Sequence, residues 1–239
     1  MNPTKLLYLE NFSQLISEAE VLQCSQENGK DIVILDQTVF YPQGGGQPYD
    51  KGAIEAEGSK FSVQEVRKID TIVKHIGIGL LKTGERVKCS VNRERRDLNS
   101  RLHSAGHIID MALLELNLTW IPGKGYHFPD GPYVEYQGSI GGLNKEKLIS
   151  DIETLCMKYI GQALETKLMF VDEGRAKEIC KLLPDYLHGQ SNIRIVMYGS
   201  LGIPCGGTHV SNLLELKSMK IRKIKSEGPN IRIGYNIPV

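Results

Sequence analysis

The sequence predicts an α+β protein in two parts: a small β-barrel-like domain over residues 1–91, then an α+β domain over residues 92–239 with an antiparallel sheet and helices. Three observations predict it. The first part alternates short β-prone runs with turns rich in Gly, Asn and Ser. The pattern changes to helical spacing near Asn92. Beyond that point strands and helices are interleaved without a regular βαβ repeat.

Runs at residues 20–26 and 31–36 flank Asn28-Gly29, a strong hairpin turn. Strands are expected at 52–57, 60–69 and 71–76, with turns at Glu57-Gly58-Ser59 and Lys82-Thr83-Gly84, and a last strand at 86–92 closes the part. Many short strands with short turns make a small barrel or meander. From Arg93 to Leu118, residues Leu102, Ala105, Ile109, Ala112, Leu113 and Leu116 recur at three- and four-residue steps, so a helix is expected. A loop follows, holding Pro122, Gly123, Gly125, Pro129, Gly131 and Pro132. Next come a strand (133–137), a helix (144–166), a strand (167–172), a helix (172–183) and a strand (193–199) leading into 201–210. The tail reads as a hairpin, 219–225 with 231–237, around Glu227-Gly228-Pro229-Asn230.

Composition narrows the function classes. Apolar residues make up 41% and charged residues 24%, as in an ordinary globular protein with a core. No run approaches the roughly 18 apolar residues a membrane helix needs. The N-terminus resembles neither a secretory signal nor a transit peptide, and the five scattered cysteines suit a reducing compartment, so a cytoplasmic location is expected. Net charge is +1, too low for a protein that coats nucleic acid. Two basic clusters leave room for a local contact: Lys88, Arg93, Arg95, Arg96 and Arg101, and Lys217, Lys220, Arg222, Lys223 and Lys225. Either alone reads as a solvated face.

The chemistry lies in two pairs. His103 and His107 sit four apart inside the helical pattern, so both imidazoles can reach one ion. Position 104 is Ser, so the Glu of a zinc-peptidase helix is missing. Cys205 and His209 are also four apart, with Gly206 and Gly207 between them and Pro204 before. Each pair alone reads as ordinary core or surface residues. Together, in a chain with only six His and five Cys, they read as a site for one zinc ion. Four ligands fit structural zinc, and three with an open position fit catalytic zinc. The spacing leaves both open. A third feature is Tyr41-Pro42-Gln43-Gly44-Gly45-Gly46-Gln47-Pro48, which lacks the Gly-Lys-Ser/Thr ending of a phosphate loop. It reads equally as a turn or as backbone that a ligand can approach closely.

The segments FYPQGGGQPYDKG, NRERRDLNSRLHSAGHII and IPCGGTHV, in that order, resemble the freestanding alanyl-tRNA editing proteins (AlaX type, medium form) and the editing domain of alanyl-tRNA synthetase. The editing domain of threonyl-tRNA synthetase is similar more distantly. The resemblance implies a trans-acting hydrolase that removes serine, and also glycine, from mischarged tRNA(Ala). It implies His103, His107, Cys205 and His209 as the metal set, Gly44, Gly45, Gly46 and Gln47 as the loop that places the aminoacyl end, and Gly125 and His127 as a pocket wall. It makes Arg93, Arg95, Arg96, Lys220, Arg222 and Lys223 contacts to the tRNA backbone. No general base is named beyond the metal and a water it positions. No membrane and no nucleotide cofactor are expected, and the oligomeric state is left open. The chain departs from the family at Gln43, where many relatives have Glu, and at Asn212-Leu213-Leu214-Glu215-Leu216, where Thr-Gly-Glu-Ile-Gly is usual. Three rival readings stand beside this one: a zinc hydrolase of another ester or amide, a non-catalytic zinc-stabilised RNA-binding module, and a metal-free fold with incidental histidines.

Overall fold

The computed structural model describes residues 2–238. The chain divides into two compact units, at Asp97 and Leu98. The first contains a closed six-stranded barrel of β1 (Ile16–Glu27), β2 (Lys30–Leu35), β3 (Gly52–Ala56), β4 (Ser59–Ile69), β5 (Ile72–Gly79) and β6 (Arg86–Val91). Its order is β1-β2-β5-β4-β3-β6, with every neighbour antiparallel. Alternate side chains point inward, so Ala19 and Val21, Phe61 and Val63, and Val87, Cys89 and Val91 fill the interior with Phe40 and Ile54. The hairpin at Asn28-Gly29 forms as expected, with both residues at positive φ (52° and 74°).

His75 sits inside this barrel, fully buried, with Nδ1 3.1 Å from the Val33 carbonyl and Nε2 2.8 Å from Thr38 Oγ1. Burial pushes its pKa down to about 4. The unfolded chain titrates near 6.5, so it takes up a proton that the folded chain refuses as pH falls. Stability from this group is therefore complete above pH ~6.5 and falls by roughly 3 kcal/mol by pH ~4. Urea denaturation at pH 7 and pH 4.5 should show a smaller acid loss in His75→Gln than in the parent. Equal losses would refute the assignment.

Helix α1 (Arg93–Glu115) starts where Asn92 Oδ1 accepts from Arg95 N at 2.8 Å. It ends three residues before the expected Leu118. Asn117 turns left-handed (φ 55°) and Leu118 N closes onto the Leu113 carbonyl at 3.0 Å.

In the second unit, β7 (Ile121–Tyr126), β8 (Tyr133–Gln137), β12 (Lys220–Glu227) and β13 (Asn230–Asn236) form an antiparallel sheet in the order β12-β13-β8-β7. Strand β7 lies in the segment expected to be a loop. A second antiparallel sheet orders β9 (Thr166–Val171), β10 (Ile193–Tyr198) and β11 (Leu201–Pro204) as β9-β10-β11. Helix α2 (Lys145–Gly161) begins at the Asn144 cap and buries Leu148, Ile152, Cys156 and Ile160, one stripe at four-residue spacing. It stops short of the expected residue 166 because Ala163 is left-handed (φ 53°). Helix α3 (Glu173–Ile179) is shorter than expected and ends in extended backbone at Cys180, which bridges to Gly202.

The main core of this unit packs Leu102, Ala105 and Ile109 of α1 and the α2 stripe against Val134, Tyr136, Ile231, Ile233 and Tyr235 of the first sheet. No helix among the described residues is long and apolar enough to cross a membrane. The fold is thus α+β with mainly antiparallel sheets, as the sequence predicts.

Candidate metal centre

Helix α1 carries His103 and His107 on one face, and the turn after β11 carries Cys205 and His209. One donor atom from each lies within 4.8 Å of all the others. The His103 ring lies 5.0 Å from His107 and 4.8 Å from His209 between centroids, and His103 Nε2 is 3.4 Å from Cys205 Sγ. His103 and His209 are buried, and His107 and Cys205 are largely covered, with the Nε2 atoms of His107 and His209 out of contact with solvent.

The surrounding groups fix which imidazole nitrogen faces the centre. His107 Nδ1 donates to Asp110 Oδ2 at 3.2 Å, and Asp110 also accepts from the Tyr136 hydroxyl. The Tyr198 hydroxyl donates to Ser104 Oγ at 3.3 Å, so its 3.0 Å contact with His209 Nδ1 takes the proton of that ring. His107 Nε2 is buried with no hydrogen-bond partner. Nε2 is thus the nitrogen each ring has for a metal; His209 presents its lone pair there, and His107 does so on giving up a proton. Burial, then the neighbouring imidazoles and Arg194, hold His103 well below the usual imidazole range. Burial, then His107 and Arg194, do the same to His209. Burial alone would also lower His107, but Asp110 and Cys205 raise it to about 10. Burial alone would raise the Cys205 thiol, but His107 above all, with Gly207 N–H and Arg194, brings it down. Three imidazoles and a thiolate make a soft, borderline donor set, unsuited to calcium or magnesium. These residues can hold a metal ion.

His127 is built into the wall of this cluster. It is buried and stacks on His103 at 4.6 Å between centroids. The Tyr235 hydroxyl donates to the Leu102 carbonyl at 2.8 Å, so His127 Nδ1 donates to Tyr235 at 2.7 Å. Two glycines make room for the ring: a Cβ on Gly106 would stand 2.6 Å from His127 Cε1, and one on Gly125 would stand 2.4 Å from Nε2. Gly125 therefore acts by seating His127. Burial, then the charge of His107, lowers His127 to about 3, so it is a neutral ring.

The glycine-rich loop belongs to the first unit. Gly44 and Gln47 exchange backbone hydrogen bonds, 3.2 and 2.8 Å, around Gly45 and Gly46, both at positive φ (51° and 78°). That two-residue turn needs glycine. Gly44 and Gly45 are exposed and Gly46 is half-buried, but Gln47 is fully buried. Gln47 closes the turn and is buried behind it.

The basic residues separate in the same way. Arg93, Lys220, Arg222 and Lys223 are exposed. Arg95 is half-buried and donates to the Tyr49 carbonyl at 2.8 Å. Arg96 is not a surface residue. It is 2% exposed and pairs with the buried Asp50, with Nε 3.2 and 3.1 Å from the two carboxylate oxygens. It also donates to the Phe12 and Val39 carbonyls at 2.9 and 2.7 Å. Its guanidinium is used up inside the protein, so it cannot be a contact to the tRNA backbone. Among groups the sequence reading missed, Asp110 stands three residues after His107, one turn along the same helix face. Tyr198, Tyr136, Tyr235 and Arg194 come from strands and carry no local signal.

Both halves of the chain match modules of aminoacyl-tRNA synthetases. Residues 4–95 match the family model for tRNA synthetases class II (A), and residues 193–233 match the threonyl and alanyl tRNA synthetase second additional domain. The chain belongs to the family of alanyl-tRNA editing proteins of the AlaX-M type. It is 31% identical to the AlaX-M protein of Methanosarcina barkeri, with 97% of this chain and 98% of that protein aligned. For the AlaX-M protein of Methanosarcina acetivorans the figures are 30%, 85% and 87%. It is also 27% identical to the alanine–tRNA ligase of Methanobrevibacter smithii over 92% of this chain, but it spans only 25% of that enzyme.

Proposed function

We propose that this chain is a trans-acting deacylase that hydrolyses the ester of Ser-tRNA(Ala), with Gly-tRNA(Ala) as a second substrate. The observation that carries the reading is the His103–His107–Cys205–His209 cluster, in a chain that aligns almost end to end with an editing protein. The family relation also favours the cytoplasm as its location and tRNA(Ala) as its partner.

The ion we assign is zinc, one per chain, which would serve as a Lewis acid at the ester carbonyl or lower the pKa of a water. An aminoacyl ester is already reactive, so the protein has mainly to position a water and stabilise the oxyanion. Asp110 and Tyr198 orient His107 and His209. His127 and Gly125 form one wall beside His103. The backbone of Gly44, Gly45 and Gly46 is assigned a contact with the substrate, since no side chain stands in the way. Arg93, Arg95, Lys220, Arg222 and Lys223 are assigned to phosphates of the tRNA.

Serine differs from alanine by one hydroxyl. A site that hydrogen-bonds that hydroxyl leaves polar groups unpaired when alanine enters, and so rejects it. Purified protein should therefore deacylate Ser-tRNA(Ala) at least ~100-fold faster than Ala-tRNA(Ala), with Gly-tRNA(Ala) also cleaved. Equal rates on serine and alanine would refute editing. Turnover of small free esters with none of Ser-tRNA(Ala) would favour a different zinc hydrolase.

A further inference from the structure

Ser104 stands where a zinc-peptidase helix would carry Glu, and it adds no donor to the cluster. It is nonetheless completely buried, and its side chain is in use. Oγ accepts from Val210 N at 3.1 Å and from the Tyr198 hydroxyl at 3.3 Å. One turn earlier on α1, the buried Ser100 shares a 2.8 Å hydrogen bond with Thr208 Oγ1. Positions 100 and 104 lie on one face of the helix. Thr208 and Val210 are the residues on either side of His209. The helix that carries His103 and His107 thus grips the turn on both flanks of His209, across 106 positions of sequence. None of these bonds involves a metal.

The Ser104 oxygen also controls a proton. A hydroxyl oxygen has two lone pairs, and here both are taken. With its own hydrogen given to Ser104, the Tyr198 hydroxyl can only accept at its 3.0 Å contact with His209 Nδ1. Remove the serine oxygen, and that hydrogen can swing to His209 Nδ1. The neutral ring would then carry its proton on Nε2, the nitrogen it has for a metal. The Val210 N–H would also be left buried without its acceptor.

We propose that Ser104 is a positioning residue for the metal. It holds His209 in place through Val210 and in the metal-binding tautomer through Tyr198, and Ser100 is the second point of attachment. The four donors then stand assembled before an ion arrives, so binding does not have to order the turn. Ser104 itself is no ligand. The inference rests on zinc as the ion of the proposed function and is independent of which ester is hydrolysed.

The test is zinc binding to the metal-free full chain, by competition with a chromophoric chelator, together with ring-nitrogen NMR of the histidines before zinc is added. Ser104→Ala should raise the zinc Kd about 10- to 100-fold and shift His209 from the Nδ1–H tautomer toward Nε2–H. Tyr198→Phe keeps the Val210 bond but takes away the acceptor for His209 Nδ1, so it should show the same shift of tautomer. Ser100→Ala should keep the tautomer and raise Kd by less than about tenfold. Thermal melting of each metal-free variant checks the fold, and Tyr198→Phe carries the test alone if Ser104→Ala melts low. An unchanged zinc Kd in Ser104→Ala, or His209 kept as Nδ1–H in both Ser104→Ala and Tyr198→Phe, overturns the assignment of Ser104. A parent that takes up no zinc overturns the metal of the proposed function with it.

Discussion

Cys205→Ala is expected to purify without metal and to deacylate Ser-tRNA(Ala) at least ~10²–10³-fold more slowly than the parent. Cys205 is the one donor of the four that carries negative charge when it binds a cation. Without it three imidazoles remain, and a divalent ion loses its only charge-compensating ligand. Two readouts separate chemistry from folding. Elemental analysis reports the metal, and circular dichroism reports the fold. Metal-free protein with a native spectrum and no deacylation is the expected result. Collapse of the fold with loss of metal would favour the non-catalytic module, and full activity without metal would refute the site. Chelation of the parent should reproduce the loss, and added zinc should reverse it.

The second large effect lies in the barrel unit. Asp50→Ala should cost about 3–5 kcal/mol, read as a lower urea midpoint for the full chain by circular dichroism. Asp50 and Arg96 are 0% and 2% exposed, so the substitution leaves a charged guanidinium buried without its counter-ion. The carboxylate also accepts from Tyr41 N at 2.7 Å, and Asp50 N donates to the Tyr41 carbonyl at 3.0 Å. These two bonds close the base of the glycine-rich loop. A midpoint within error of the parent would show that the pair contributes nothing.

The metal set is legible in sequence because each half is local. Four residues on a helix fix one face, and a four-residue turn fixes the other pair. Asp110 was legible by the same rule. Tyr198 and Tyr235 were not, since they meet the histidines through strand register that only the folded chain sets. Arg96 shows the limit of reading charge clusters. It stands three residues from the exposed Arg93, yet its partner Asp50 is 46 positions away. Helix ends were overestimated at Asn117 and Ala163, because non-glycine residues rarely adopt positive φ. Strand β7 was hidden by Pro122, Gly123 and Gly125, which argue against a strand wherever they occur.

β7 stands at the rim of its sheet, with residues 121–124 exposed. An unpaired rim invites another chain to hydrogen-bond alongside and extend the sheet from molecule to molecule. Pro122 has no N–H to offer such a visitor, Gly123 adds little side-chain packing, and Lys124 sets like charge against like if a second copy approaches in the same manner. The residues that conceal the strand from a pattern search are thus also the ones that keep its border from seeding aggregates.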